Sequence, residues 1–217
     1  MDFAQARFNM VEQQIRPWNV LDQHVLDMLL DMRREDFVPA AYRNLAFVDM
    51  EIPLGHGEVM LTPKLEARII QELNIKKTDK VLEVGTGSGY MTAMLAREAH
   101  HVYSVEIVPE FKEQAAEKLH AHGVHNVTLE EGDAAQGWDR HGKYDVIVLS
   151  GSVPVLPEAF FASLNPGGRM FAIVGDAPVM EGKQITCLGD GACRTTILFE
   201  TCVPPLRNAL QPQRFSF

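Results

Sequence analysis

The sequence is short of several things, and each shortage removes a class of function. Three cysteines are spread over 217 residues, Cys187, Cys193 and Cys202, with no C-x-x-C pair. An odd count of scattered thiols is a poor disulfide framework and fits a reducing cytosol. No segment approaches the roughly 18 consecutive apolar residues that span a bilayer. The first twenty residues carry Asp2 and Glu12 and lack the charged-then-apolar layout of a secretory signal. A soluble, cytoplasmic protein is expected. Positive charge is also scarce: 20 Lys and Arg stand against 29 Asp and Glu, a formal net charge of −9. Nucleic acid and anionic membrane surfaces are bound through clustered Lys and Arg that release counterions, so neither is an expected partner. There is no internal repeat and no low-complexity segment, and the sequence carries no signal for oligomeric state. The eight histidines include His100, His101, His120, His122 and His125, but no carboxylate or cysteine pattern accompanies them as a metal site requires, so no metal is expected.

What is present is ordinary globular composition, with 46% hydrophobic and 23% charged residues. Leu21, Val25, Met28, Leu29 and Met32 form the stripe of an amphipathic helix, which Pro17 separates from a preceding one. After Arg34, the stretch 37–63 is irregular, with three prolines and two glycines but no sustained period; an apolar-rich stretch of this length in a compact protein is expected to be functional. From Thr62-Pro63, an N-cap followed by proline at the first helical position, the rhythm becomes α/β. Strands are expected over 80–84, 101–105, 126–129, 144–150 and 169–174. Helices are expected over 88–99, 109–122 and 157–164. This alternation predicts a doubly wound, Rossmann-like, mostly parallel sheet covered on both faces. Residues 184–188 and 195–203, around the turn-rich GDGAC, predict an antiparallel C-terminal hairpin. Residues 1–62 would then be a helical N-terminal cap carrying a substrate loop, and 63–217 the sheet domain.

The stretch KVLEVGTGSGY at 80–90 is the most informative. Gly85, Gly87 and Gly89 follow an apolar strand and open a helix, so backbone can approach a ligand at the carboxyl edge of the sheet. The third glycine comes one residue too early for the dinucleotide fingerprint G-x-G-x-x-G, and an acid, Glu83, precedes the loop. Glu106 ends the next strand 21 positions after Gly85, near the spacing at which a carboxylate reaches a ribose hydroxyl pair. Alone it would be a solvated charge; with the glycine loop it points to a nucleoside cofactor. Gly132-Asp133 closes the third strand, and by itself is an ordinary turn.

Together, E-x-G-x-G-x-G, Glu106, Gly132-Asp133 and NPGGR at 165–169 resemble the S-adenosylmethionine-dependent methyltransferases of the Rossmann-like class. More narrowly, the chain resembles the protein-L-isoaspartate O-methyltransferases, which methylate the abnormal carboxylate of isoaspartyl residues in protein repair. The resemblance runs through MVEQQI at 10–15, DFVP at 36–39, AFVD at 46–49, PLGHG at 53–57, VLEVGTGSGY at 81–90, VYSVE at 102–106 and GD…GW at 132–138. It implies S-adenosyl-L-methionine as cofactor, S-adenosyl-L-homocysteine as product and an isoaspartyl protein or peptide as substrate. By position it implies that Gly85, Thr86, Gly87 and Gly89 line the methionine moiety, that Glu106 holds the ribose and that Asp133 faces the adenine amino group. Met60, Leu61, Glu83, Ser88, Tyr90, Ile107 and Ala134 complete the implied cofactor shell, with Ala134 standing where the family usually has glycine.

The family loop G-x-T-I-S-x-P carries a serine taken as the active residue. Here the loop reads Gly57 to Pro63 and the serine position is Leu61. A lost hydrogen bond to a charged group is worth about 1.5–3 kcal/mol, one to two decades in rate if felt in the transition state. Thr62 is the candidate catalytic hydroxyl if the loop shifts by one residue; its other reading is the helix N-cap. Leu61 also keeps open a divergent methyltransferase with another substrate, or a cofactor-binding relative without catalysis. Arg33 and Arg34 read as steering an anionic peptide or as a solvated helix-end pair. Trp18 and Trp138 read as core or interface anchors.

Overall fold

The computed structural model describes residues 2–189 and 191–212. Helix α1 (Phe3–Met10) starts where the Asp2 carboxylate accepts the Gln5 N–H at 3.1 Å. It runs on through a π-helical turn at Val11–Ile15 and a 3-10 turn at Arg16–Trp18, and stops at Asn19 in the left-handed conformation. Helix α2 (Gln23–Asp31) is capped by Asp22 and buries Val25, Leu26, Met28 and Leu29. The cap at Asp22 leaves Leu21 outside the helix and 69% exposed, so Leu21 is not part of the buried stripe.

Residues 37–63 are more ordered than their lack of period predicts. Two 3-10 turns, Arg34–Asp36 and Ala40–Leu45, lead into a small antiparallel hairpin of β1 (Ile52–Gly55) and β2 (Glu58–Met60), with Ile52 opposite Met60 and Pro53 opposite Val59. The tip, His56-Gly57, has two successive positive φ values of 52° and 81°, the requirement of a tight two-residue hairpin turn. Strands of four and three residues are too short to show alternation, and His-Gly is not the usual Asn-Gly signal.

The α/β part follows in order. Helix α3 (Pro63–Leu73) leads to β3 (Lys80–Val84), α4 (Tyr90–Glu98), β4 (His101–Glu106), α5 (Pro109–Ala121) and β5 (Val127–Glu131). Strand β6 (Tyr144–Val153), α6 (Glu158–Ala162), β7 (Leu164–Asp176), β8 (Val179–Gly189) and β9 (Ala192–Thr201) complete the chain. The sheet order is β5-β4-β3-β6-β7-β8-β9; the first five strands are parallel and β8 and β9 antiparallel. This is the Rossmann-like sheet with a C-terminal hairpin that the alternation predicts. The hairpin strands are longer than expected, and Asp190 in the predicted GDGAC turn lies outside the described residues. Cys187 and Cys193, scattered in sequence, are cross-strand partners in this hairpin, both free.

Neighbouring residues of each central strand enter opposite cores. Val81, Val146 and Val148 join the N-terminal helices, α3 and α4 in one cluster, while Leu82, Ile147 and Leu149 join Trp138, Phe160 and Leu164 in the other. This is the pattern of strands buried on both faces. The first cluster takes in Met10, Ile15 and Leu26, so the N-terminal segment shares its core with the sheet. Among the described residues no helix is long and apolar enough to cross a membrane. Winding runs from β3 outward through β4 to β5, then restarts at β6 on the other side. The carboxyl ends of β3, β4 and β6 therefore flank a crevice where ligands bind in open α/β sheets.

Candidate active site

A cleft opens at this crevice. Its floor is the loop from Val84 into α4, with Gly85, Gly87 and Gly89 all at positive φ. At Gly87 (φ 50°) a side chain would be strained, and its Cβ would also sit 3.3 Å from the Leu54 side chain of the β1–β2 hairpin. The backbone here therefore has to be bare. Its N–H donates to Glu106 Oε2 at 2.8 Å, and Val108 N–H donates to Oε1 at 2.9 Å. These two amides fix the carboxylate of Glu106 at the end of β4, beside the cleft.

The loop rests on a buried polar group. Glu83 is 0% exposed and accepts hydrogen bonds from Thr92 Oγ1 at 2.5 Å and Ser104 Oγ at 2.7 Å, with Ser150 Oγ at 3.4 Å. Burial pushes its pKa up to about 7; the hydroxyl bonds pull it down, and the charge of Glu106 pushes it up further. Thr86 Oγ1 meets Ser104 Oγ at 2.6 Å and ties the loop to the same network.

Of the residues singled out from sequence, the structure brings Leu61, Gly85, Gly87, Glu106, Ile107, Asp133 and Ala134 together around the cleft. Glu83 and Thr86 lie beneath it as supports, Ser88 Oγ accepts the Tyr90 N–H at the start of α4, and Gly89 packs within 3.1 Å of Ala115 on α5 when a Cβ is placed on it. Tyr90 points away from the cleft into the core, against Phe37 and under the Arg34 guanidinium, and burial pushes its hydroxyl pKa up. Met60 is buried opposite Ile52. Thr62 caps α3, its hydroxyl accepting the Leu65 N–H at 3.4 Å, and lines a different cleft with Trp18, Lys64 and Phe199. Proline at position 63 fixes the helix start there, which holds Thr62 in the capping place and turns Leu61 to the cleft.

Arg34 does not face solvent, which excludes it from steering. It is 1% exposed, donates to the carbonyls of Ala46 and Leu61 at 2.8 Å each, and pairs with buried Glu66 on α3. Arg33 is exposed and pairs with Asp36 at 3.1 Å. Trp138 is buried, its indole N–H donating to Glu130 at 2.7 Å, whereas Trp18 is exposed under Lys64. Seven of the eight histidines are engaged in pairs or ring contacts, as with His24 and Glu98, His101 and Thr128, or His120 and His125. Among the described residues no group of three or more His, Cys, Asp or Glu is placed to hold a metal ion.

One wall of the cleft escaped sequence reasoning. The segment after β9 runs back along β6: Ser152 N–H donates to Pro204 O at 3.0 Å, Leu206 N–H to Ser152 O at 2.9 Å, and Ser152 Oγ to Val203 O at 2.9 Å. Pro204, Pro205, Leu206 and Arg207 thus line the cleft next to the glycine loop, with the Leu206 side chain 3.5 Å from a Cβ placed on Gly85. A Cβ at Gly151 would lie 2.9 Å from the Leu206 side chain, so the glycine inside a strand was the one available signal of a close approach. The β1–β2 hairpin also lines the cleft, through Leu54, Glu58 and Val59. Its tip is clasped twice, by His56 to Glu110 on α5 and by Arg207 Nε to Glu58 at 2.6 Å.

This site lies in a chain most of whose length has known relatives. A model of the protein-L-isoaspartate(D-aspartate) O-methyltransferase family matches residues 5–207. The chain belongs to that family. A protein-L-isoaspartate O-methyltransferase of Petrotoga mobilis is 35% identical over 192 residues, covering 88% of this chain and 90% of the relative. One from Myxococcus xanthus is 40% identical over 156 residues, 72% of this chain and 74% of the relative. Among solved structures, a Plasmodium falciparum member crystallised with S-adenosyl-L-homocysteine has a TM-score of 0.79 at 19% identity, covering 93% of this chain and 98% of its own. Another protein-L-isoaspartate O-methyltransferase gives 0.78 at 24% identity, covering 92% and 65%. At those identities the likeness is one of fold, and it covers the N-terminal segment as well as the sheet of this family member.

Proposed function

We propose that the protein is an S-adenosylmethionine-dependent carboxyl O-methyltransferase acting on isoaspartyl residues of peptides and proteins. The observation that carries this reading is Glu106 fixed by the Gly87 amide at the mouth of a bare glycine loop, in a chain that matches the isoaspartyl family almost end to end.

The residues present suit the cofactor. Glu106 is held by backbone on one side and borders the cleft on the other, as a ribose-binding carboxylate must. Ile107 and Phe111 offer apolar walls for a purine, and Asp133 lies beside them, its carboxylate oriented by the Ala135 N–H at 3.1 Å and the Asn208 amide at 2.8 Å. The Gly85–Gly87 backbone would take the methionine portion. Ala134 adds a methyl group to this wall and leaves the cleft open.

When bound, S-adenosylmethionine supplies a methyl group on a sulfonium, and a carboxylate with a pKa near 4 is already ionised at neutral pH. The chain therefore does not have to remove a proton. Its task is to hold the two reactants in line and keep water out, which accounts for a site with no nucleophile–base pair. The hairpin, with Leu54, Val59 and Leu61, forms the water-excluding side.

The test is transfer of label from S-adenosylmethionine to an isoaspartyl peptide, beside its normal aspartyl twin. Turnover selective for the isoaspartyl peptide is expected. A second reading follows from Leu61 at the cleft: a family member with another carboxylate substrate, or one that binds cofactor without turnover. Activity that emerges only in Leu61→Ser favours that second reading. Loss of cofactor binding altogether, measured by calorimetry, removes both.

A further inference from the structure

A carboxylate entering this cleft meets an unfavourable field. Glu58, Glu106 and Asp133 line it, and the hairpin side presents leucine where a hydroxyl is expected. An ion taken from water into such a place without a counter-charge takes up a proton, and a protonated carboxyl is a poor nucleophile. Among the described residues, the glycine loop and hairpin bring no cationic side chain to the cleft.

The C-terminal wall supplies one. Among the described residues lining the cleft, Arg207 is the one cation. It sits in a tight turn closed by Ala209 N–H to Leu206 O at 3.2 Å, and the same segment is bonded to β6 through Ser152, so its backbone is fixed. Its side chain is oriented at two of three nitrogens: Nε donates to Glu58 Oε1 at 2.6 Å and Nη2 to the His56 carbonyl at 2.5 Å. Nη1 has no hydrogen-bond partner among the described residues. At 39% side-chain exposure the guanidinium is neither sealed in the core nor free in solvent. A planar fork held at one edge with an open nitrogen is the form in which arginine receives a carboxylate.

We propose that Arg207 is the substrate-positioning residue of this protein, receiving the isoaspartyl carboxylate through its free edge, with Glu58 as the partner that aims it. The inference rests on the methyltransferase reading above. One carboxylate oxygen would be held by the guanidinium while the other forms its bond to the methyl carbon as the sulfonium–carbon bond breaks. No proton moves, and the released thioether carries no charge. The role that the family gives to a hydroxyl at position 61 would here be carried from the C-terminal wall of the cleft.

The test uses the full chain as wild type, Arg207→Met, Arg207→Lys and Glu58→Gln. Each is assayed for methyl transfer to the isoaspartyl peptide and for S-adenosyl-L-homocysteine affinity by calorimetry. In Arg207→Met the peptide KM is expected to rise ten- to a hundredfold, the range for a lost hydrogen bond to a charged group. S-adenosyl-L-homocysteine affinity should stay within about threefold. Arg207→Lys should recover part of the loss. Glu58→Gln weakens the clasp but keeps the cation, so its peptide KM should rise clearly less than that of Arg207→Met. An unchanged peptide KM in Arg207→Met overturns the proposal alone. Equal rises in Arg207→Met and Glu58→Gln overturn it too, because they show that Arg207 only fastens the hairpin. Absence of wild-type turnover with S-adenosyl-L-homocysteine still bound overturns the isoaspartyl reading and this inference with it.

Discussion

Replacing Arg34 with methionine should unfasten the loop that leads into α3. The guanidinium is sealed in the core and serves three acceptors from separate parts of the chain: the Ala46 carbonyl, the Leu61 carbonyl and the Glu66 carboxylate. Methionine fills much of the space and satisfies none of them. Breaking a buried ion pair by removing one partner costs about 3–5 kcal/mol, because the remaining charge is left unpaired in low dielectric. For a chain of this size that corresponds to a drop of about 6–20 °C in Tm. Burial already pushes the Glu66 pKa up against the pull of Arg34, and without Arg34 it rises further. A carboxyl with a raised folded-state pKa stabilises fully below its unfolded value near 4.5, and that contribution is lost as pH rises through the folded value. The Arg34→Met deficit should therefore be larger at pH 8 than at pH 5. The double variant Arg34→Met/Glu66→Met removes the orphan charge and should regain about 2 kcal/mol, staying below wild type because two carbonyls remain unpaired. Urea denaturation followed by circular dichroism at both pH values gives all of these quantities. A single-variant loss under about 1 kcal/mol, or no recovery in the double variant, refutes the assignment of Arg34 as the anchor of the loop.

Glu83→Gln removes a carboxyl whose pKa of about 7 lies above its unfolded value, so the stabilisation it gives is complete below about 4.5 and lost through pH 7. Wild type should lose up to about 3 kcal/mol from this group between pH 5 and pH 8, and the variant should show a correspondingly flatter profile in thermal melts. Gly132→Ala places a Cβ 2.4 Å from the Trp138 ring and should destabilise by about 1–3 kcal/mol, with a shift in tryptophan emission; an unperturbed spectrum and stability count against tight packing there. Gly87→Val puts a β-branched residue at φ 50° and should abolish S-adenosyl-L-homocysteine binding by calorimetry while the circular dichroism spectrum stays native; retained affinity would place the cofactor elsewhere.

The sheet was legible because its signals are local. Apolar runs such as VLEV and VIVL, each followed by turn residues and a helical period, specify strand and helix without reference to anything distant. The glycine loop and Glu106 were legible for the same reason: the bare backbone and the strand-end acid lie in two adjacent βα units. The β1–β2 hairpin was not, since its register is set by packing against the glycine loop and by clasps to Glu110 and Arg207, partners 54 and 149 residues away from His56 and Glu58. Pro204–Arg207 was hidden for the same cause, reaching the cleft by pairing with β6. Arg34 misled because its sequence neighbours, Arg33 and Glu35, are those of a surface turn. Only the three-dimensional arrangement shows that it lies buried over the Tyr90 ring.

Arg34 grips residue 61 by its carbonyl oxygen, an atom every amino acid has. A contact of that kind is blind to what the residue carries. The path of the loop is thereby decoupled from the chemistry it displays, and position 61 is free to exchange a hydroxyl for an alkyl group while the fold is untouched. Such a position is a natural point of divergence, where a lineage can retune which carboxylates it accepts without first having to rebuild the protein that presents them.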